Sequence, residues 1–156
     1  MKLTTKGRYA VTAMLDLALH DGGDCPVALC DIAERQQISP AYLERLFAGL
    51  RRHGLVGATR GAGGGYRLAR PAVDISVAEV MDAVSEDLDA TRCGGERSCH
   101  GGEGCLTHDL WEDLSRHVQD YLQGISLADL SQRNRQHSSI SSEVPLRQTT
   151  VRLALR

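Results

Sequence analysis

Aromatic side chains are scarce in this sequence: 156 residues carry one Phe, one Trp and four Tyr. A core must therefore be mostly aliphatic, which a hydrophobic content of 42% can supply. Long apolar runs are missing too. No stretch approaches the roughly 20 residues that a membrane-crossing helix needs, so no membrane partner is expected. The opening M-K-L-T-T-K-G-R-Y has no apolar run of signal-peptide length before Asp16 and His20. The expected setting is therefore cytoplasmic and reducing. Catalytic groupings are also lacking. No nucleophile–base pair or carboxylate dyad stands out, and Ser115 near His117 is a plain helix-surface arrangement, so no enzyme is expected.

Net charge is low, at −2, but unevenly spread. Residues 1–70 hold ten basic and six acidic side chains, whereas residues 71–156 hold eight and fourteen. A basic first half suits a polyanionic partner such as DNA. Cysteine and glycine are plentiful where it matters. Residues 93–108 read C-G-G-E-R-S-C-H-G-G-E-G-C-L-T-H, which puts Cys93, Cys99, Cys105 and His108 in one glycine-rich loop. Thiolates with an imidazole select zinc, copper(I) or iron–sulfur centres. Glycine lets the chain wrap such a centre because it tolerates positive φ. Five intervening residues, twice, is unusual for a zinc finger and matches no common ferredoxin run. Zinc and iron–sulfur both remain open on spacing alone. His100 is a second imidazole in the same loop. Cys25 and Cys30 have no third ligand near in sequence and read as bystanders.

Hydrophobic periodicity organises the rest. Val11, Met14, Leu15, Ala18 and Leu19 form the stripe of a first helix, capped by Thr4 or Thr5 and stopped at Asp21-Gly22-Gly23. A second helix is expected from about Leu29 to Gln36. Ser39-Pro40 starts a third, striped by Leu43, Leu46, Phe47 and Leu50 and ended by Gly54. Two short strands, 55–60 and 66–68, flank the tip Gly61-Ala62-Gly63-Gly64-Gly65. Together these elements make a winged helix-turn-helix, mainly α with a small β-hairpin wing. Ser76-Val77-Ala78-Glu79 is a capping box that opens a further helix. Leu106, Leu110, Leu114, Val118 and Leu122 then stripe a long helix with more apolar surface than so small a domain can cover, which points to a dimer interface. The expected division is a DNA-binding domain at 1–70, dimerisation helices with the cluster loop 91–108 at 71–130, and a flexible tail at 131–156.

Over about residues 1–130 the sequence resembles the IscR family of cluster-sensing winged-helix transcription regulators. The likeness rests on L-T-T-K-G-R-Y-A-V-T-A-M-L-D-L-A-L, D-I-A-E-R-Q-Q-I-S-P-A-Y-L-E-R-L-F, R-G-A-G-G-G-Y, and D-A-T-R-C followed by C-L-T-H-D-L-W. It implies a homodimer with one 2Fe-2S cluster per subunit, held by Cys93, Cys99, Cys105 and His108 and supplied by the cluster-assembly machinery. It also implies control of genes for iron–sulfur cluster assembly, with cluster occupancy choosing the class of DNA site. One imidazole in place of a thiolate leaves a site one negative charge lighter and raises its reduction potential, as in Rieske centres. A structural zinc site and an electron-transfer or cluster-delivery protein are the alternative readings.

On the expected recognition helix, Ser39, Ala41, Tyr42, Glu44 and Arg45 face DNA, with Arg45 on guanine or a phosphate and Arg51 and Arg52 on phosphates. Glu44 is repelled by phosphate but accepts from the cytosine amino group, so it filters sites rather than adding affinity. The resemblance gives it the role of restricting the cluster-free form. Arg60, with Gly63, Gly64 and Gly65, suits minor-groove insertion by the wing, on palindromic duplex sites. Family members often carry proline where Ala62 stands and glycine where Gln37 stands. Gln37 is expected to strain its turn if that position needs positive φ.

Overall fold

The computed structural model describes residues 4–22, 25–91, 93–99 and 101–141. Helix α1 spans Thr5–His20, and the Thr4 side chain accepts from Lys6 N at its start. Its fully buried face is Ala10, Ala13, Met14 and Leu17; of the expected stripe, Met14 is buried and Val11 and Ala18 pack against the core, while Leu19 is exposed. Ala10 and Ala13 add two small buried positions that carry little hydrophobic signal in the sequence. Asp16 is buried on the same helix and accepts from Arg35 Nη2 and Gln36 Nε2, both at 2.6 Å. Burial pushes its carboxyl up, but the bonds from Arg35 and Gln36 outweigh that and hold it below the usual carboxylate range.

Those bonds tie α1 to α2, Leu29–Gln36, which presents Ile32 and Ala33 to the core. The turn into α3 passes through Gln37 at φ 54°, the strained left-handed position that the sequence anticipates. Ser39 caps α3, Pro40–Arg52, with its hydroxyl accepting from Tyr42 N and Pro40 in the first turn. Leu43, Leu46, Phe47 and Leu50 are buried as their spacing requires. Strand β1, Val56–Thr59, pairs antiparallel with β2, Gly65–Leu68, in the register Val56 opposite Leu68. Val27 extends this wing by exchanging backbone bonds with Tyr66 at 2.9 and 2.7 Å.

A short 3₁₀ turn, Ala72–Asp74, leads to α4, Val77–Ala83, whose Ser76–Glu79 capping box is formed. After the cysteine loop come α5, His108–Gln123, and α6, Leu127–Ser141. Ser126 and Asp129 cap α6 in the same reciprocal way, and the two capped starts are joined by Val77 N to Ile125 O and Leu127 N to Ile75 O, each 2.9 Å. The core does not divide at residue 70. Ile75, Val80, Ala83, Val84 and Leu127 are buried in one cluster with the residues of α1–α3. Helix also continues past residue 130, so 131–141 differs from the loose chain expected there. The Ser126–Asp129 cap starts that helix and Leu127 anchors it in the core. Residues 142–156 lie outside the described residues. Among the described residues no helix is long and apolar enough to cross a membrane.

Candidate metal centre and nucleic-acid interface

The loop that follows α4 has almost no apolar burial and is held by polar ties. The Asp89 carboxylate accepts from Thr91 N at 2.6 Å and Thr91 Oγ1 at 2.9 Å, and Thr91 Oγ1 in turn accepts from Gly95 N. Ala90 N donates to Ser115 Oγ at 2.8 Å, which fixes the loop's first limb on α5. Arg97 reaches Asp109 at 2.6 Å from its other limb. Positive φ at Gly94, Gly95, Gly101 and Gly102 lets the chain double back between these ties.

The result brings together the Cys93 and Cys99 thiols and the His108 ring, whose donor atoms all lie within 4.8 Å of one another. His108 Nδ1 is 3.6 Å from Cys93 Sγ and 3.5 Å from Cys99 Sγ. Its residue is only 3% exposed, although α5 begins on it. Cys105 therefore precedes the helix. Cys105 N donates to Cys99 Sγ at 3.3 Å, but its own thiol turns toward Thr107 Oγ1, 3.8 Å away, and is not among the converging donors. His100 and Arg92 lie outside the described residues.

The thiols differ in acidity. Burial raises Cys93, but hydrogen bonds from the Ser98 backbone, Cys99, Thr91 and the Arg97 backbone outweigh it and bring the thiol down to about 7. The Cys105 N–H favours the Cys99 thiolate, yet burial and the adjacent Cys105 and Cys93 thiols leave Cys99 raised. The Thr107 backbone and side chain lower Cys105. Neighbouring thiolates resist ionising together, and a bound cation removes that resistance. The donor set fits a thiophilic metal: two sulfurs and an imidazole nitrogen converge, and the Cys105 thiol adjoins that of Cys99. Cys25 and Cys30 are exposed and outside this group.

Before the loop begins, Glu86 ties the end of α4 to the start of α1, a link that the sequence reading does not include. This buried carboxylate, at the exit of α4, accepts from Thr4 N, from Thr4 Oγ1 at 2.7 Å and from Gly7 N at 3.1 Å. Burial raises its pKa, but the Thr4 and Gly7 bonds and Lys6 outweigh that and hold it low. A Cβ at Gly7 would stand 2.7 Å from Met81 Sδ and 2.9 Å from Glu86 Cγ. Lys6 Nζ donates to Ser85 O at 2.9 Å beside it. The only sequence signal was the T-T-K-G opening itself, because a carboxylate some eighty residues away leaves no local trace.

On α3, Ser39, Ala41, Glu44, Arg45, Arg51 and Arg52 are exposed. Tyr42 differs from the outward role expected of it. It is half-buried, edge-on to Tyr9 at 5.9 Å, with the Arg45 guanidinium 5.5 Å above its ring. Lys6, Arg45 and Arg52 line a groove with the end of α4, a concentration of positive charge beside the helix. Arg60 and Gly63 are exposed at the wing tip. Gly64 and Gly65 have packing reasons of their own: a Cβ at either would collide with Thr59 O or Val27 O.

Residues 3–133 match the Rrf2 family, described as iron-dependent transcriptional regulators. The HTH-type transcriptional regulator IscR of Yersinia enterocolitica is 58% identical over 130 residues, 83% of this chain and 79% of that protein. The solved structure of T. potens IscR superposes with a TM-score of 0.68 at 36% identity, covering 93% of each chain. CymR, the global cysteine regulator of B. subtilis, gives a TM-score of 0.73 at 31% identity over 85% of this chain and 98% of its own.

Proposed function

The chain belongs to the Rrf2 family of transcriptional regulators, and on that premise we propose a cytoplasmic, homodimeric sensor of iron–sulfur cluster status. Its relatives are named as regulators and not as enzymes, and winged-helix regulators of this family bind DNA. The observation that carries the sensing role is the convergence of Cys93, Cys99 and His108 beside a winged helix. Cys93, Cys99, Cys105 and His108 hold one 2Fe-2S cluster per subunit, received from the cluster-assembly machinery, with Cys105 turning in from Thr107. The cluster supplies a redox-active and labile charge whose presence reports cluster supply. Regulated genes are those for cluster assembly and related functions.

The dimer uses the outer face of α5. Leu110, Trp111, Leu114 and Tyr121 are exposed there, a large apolar strip on a single chain. A two-fold dimer presents two α3 helices and two wings to palindromic duplex DNA. Ser39, Ala41, Glu44 and Arg45 meet base edges or the adjoining backbone, Tyr42 props Arg45, and Arg51 holds phosphate. Arg60, with the Gly63-Gly64-Gly65 tip, enters the minor groove. Glu44 excludes sites from the cluster-free form. Glu86 gives the loop a physical route to α1, because it joins the loop's first residues to the start of that helix. Loop order then biases the DNA-binding helices between two arrangements.

Iron, sulfide and zinc analysis of protein purified without oxygen tests this reading. About two irons and two sulfides per subunit are expected, with visible charge-transfer bands. Stoichiometric zinc in colourless protein would replace the cluster with a structural metal. Duplex retardation completes the test: redox cycling without any retardation would make the chain an electron carrier or cluster donor.

A further inference from the structure

Within the converging donors His108 is the one imidazole, and its value as a ligand depends on which ring nitrogen carries the proton. A neutral imidazole has one N–H and one lone pair. Nδ1 faces the sulfurs of Cys93 and Cys99, so it can ligate only if the proton sits on Nε2. Among the described residues, Nε2 is the one buried side-chain polar atom without a hydrogen-bond partner. A buried N–H in that position calls for an acceptor.

One is near. Glu112 Oε2, a helical turn further along α5, lies 3.7 Å from Nε2. That separation exceeds a hydrogen bond, but the Glu112 side chain is over a third exposed, so a side-chain rotation closes it without moving backbone. Nor is this carboxylate fully claimed by its cations. Arg97 is 3.5 Å from it but 2.6 Å from Asp109, and Arg116 is 3.8 Å from it but 3.0 Å from Asp113.

We propose that Glu112 is a positioning residue for His108: it accepts from Nε2–H and so keeps the Nδ1 lone pair aimed at Cys93 and Cys99. The proposal rests on His108 being a ligand. A carboxylate behind an imidazole also fixes ring orientation and raises its basicity, so the strength of the metal–nitrogen bond depends on Glu112.

Nitrogen-15 spectra of histidine-labelled, metal-free full-length protein, at a pH where the ring is neutral, read the tautomer directly. The His108 signals are assigned by their loss in His108→Ala. Nε2–H is expected in the native chain and in Glu112→Gln, whose amide oxygen accepts the same bond, while Glu112→Leu shifts the proton toward Nδ1. Cobalt(II) titration, followed by thiolate-to-metal absorption, should show binding weakened about 10- to 100-fold in Glu112→Leu and largely restored in Glu112→Gln. An Nδ1–H tautomer in the native chain, or a leucine variant unchanged in tautomer and affinity, overturns the proposal. Failure of the underlying reading looks different: His108→Ala would then bind cobalt as tightly as the native chain, whatever Glu112 does.

Discussion

The winged helix and the cysteine loop are held together by different physics. Around α1–α3, Met14, Leu17, Ile32, Leu43, Phe47 and Leu50 are fully buried, and apolar burial is non-directional and needs no further partner. The loop from Asp87 to Thr107 depends instead on discrete polar ties such as Asp89–Thr91, Ala90–Ser115 and Arg97–Asp109. Polar contacts of this exposed kind contribute little each. Few buried apolar contacts and exposed polar ties are the features of regions that open locally at low cost, so the two regions are expected to differ in local stability. Glu86 stands between them in the chain and is bonded to the start of α1.

The strongest way to break this contrast is to remove a side chain from each region. Phe47→Ala should cost about 3–5 kcal/mol in denaturant unfolding and with it most DNA binding. Cys99→Ala in metal-free protein should move the same transition by about 0.5 kcal/mol or less while abolishing metal binding. Global unfolding caused by Cys99→Ala would show that the loop is structural. Glycines give a milder version. At Gly49 a Cβ would stand 2.6 Å from the Ala83 carbonyl oxygen, so Gly49→Ala should destabilise by about 1–3 kcal/mol. Gly94, at φ 65° with open space around it, should show its strain only as faster amide exchange within the loop when replaced by alanine.

Acid sharpens the comparison with a graded effect. Asp16 and Glu86 both have folded-state pKa values below their ordinary ones. The folded form therefore binds fewer protons, and the stability they contribute is complete above the unfolded carboxylate value of about 4. It is lost as pH falls below that value and through the depressed folded ones. Denaturant midpoints measured down to acid pH should fall in that window, and Asp16→Asn should flatten part of the fall. The smallest expected effect is at the turn before α3. Gln37 pays for a left-handed φ, so Gln37→Gly should stabilise the winged helix by up to about 1 kcal/mol, read from the same unfolding curves, and leave the loop untouched.

Local chemistry explains what was legible. Thr4, Ser39-Pro40 and Ser76–Glu79 mark helix starts by satisfying nearby N–H groups, so each start fell where its cap stood. Residues 29–36 were bounded correctly because their period and their stop are both local. Packing blurred other positions. On α1 the stripe misses Ala10 and Ala13, which carry little hydrophobic signal yet are fully buried. Tyr42 looked outward by periodicity, but Tyr9 turns it half inward. Leu127 packs in one cluster with the residues of α1–α3, a contact that no local pattern announces.

By itself the sequence determined the winged helix, the caps of α1, α3 and α4 and the unusual stock of thiols and imidazoles between Cys93 and His108, since these depend on residues within a few positions of each other. Tertiary structure alone decided which donors meet. It turned Cys93, Cys99 and His108 toward one point while leaving Cys105 against Thr107, set Glu112 behind the imidazole and closed Glu86 over the start of α1. Those outcomes turn on where distant segments lie in space, and spacing along a chain does not specify distance across a fold.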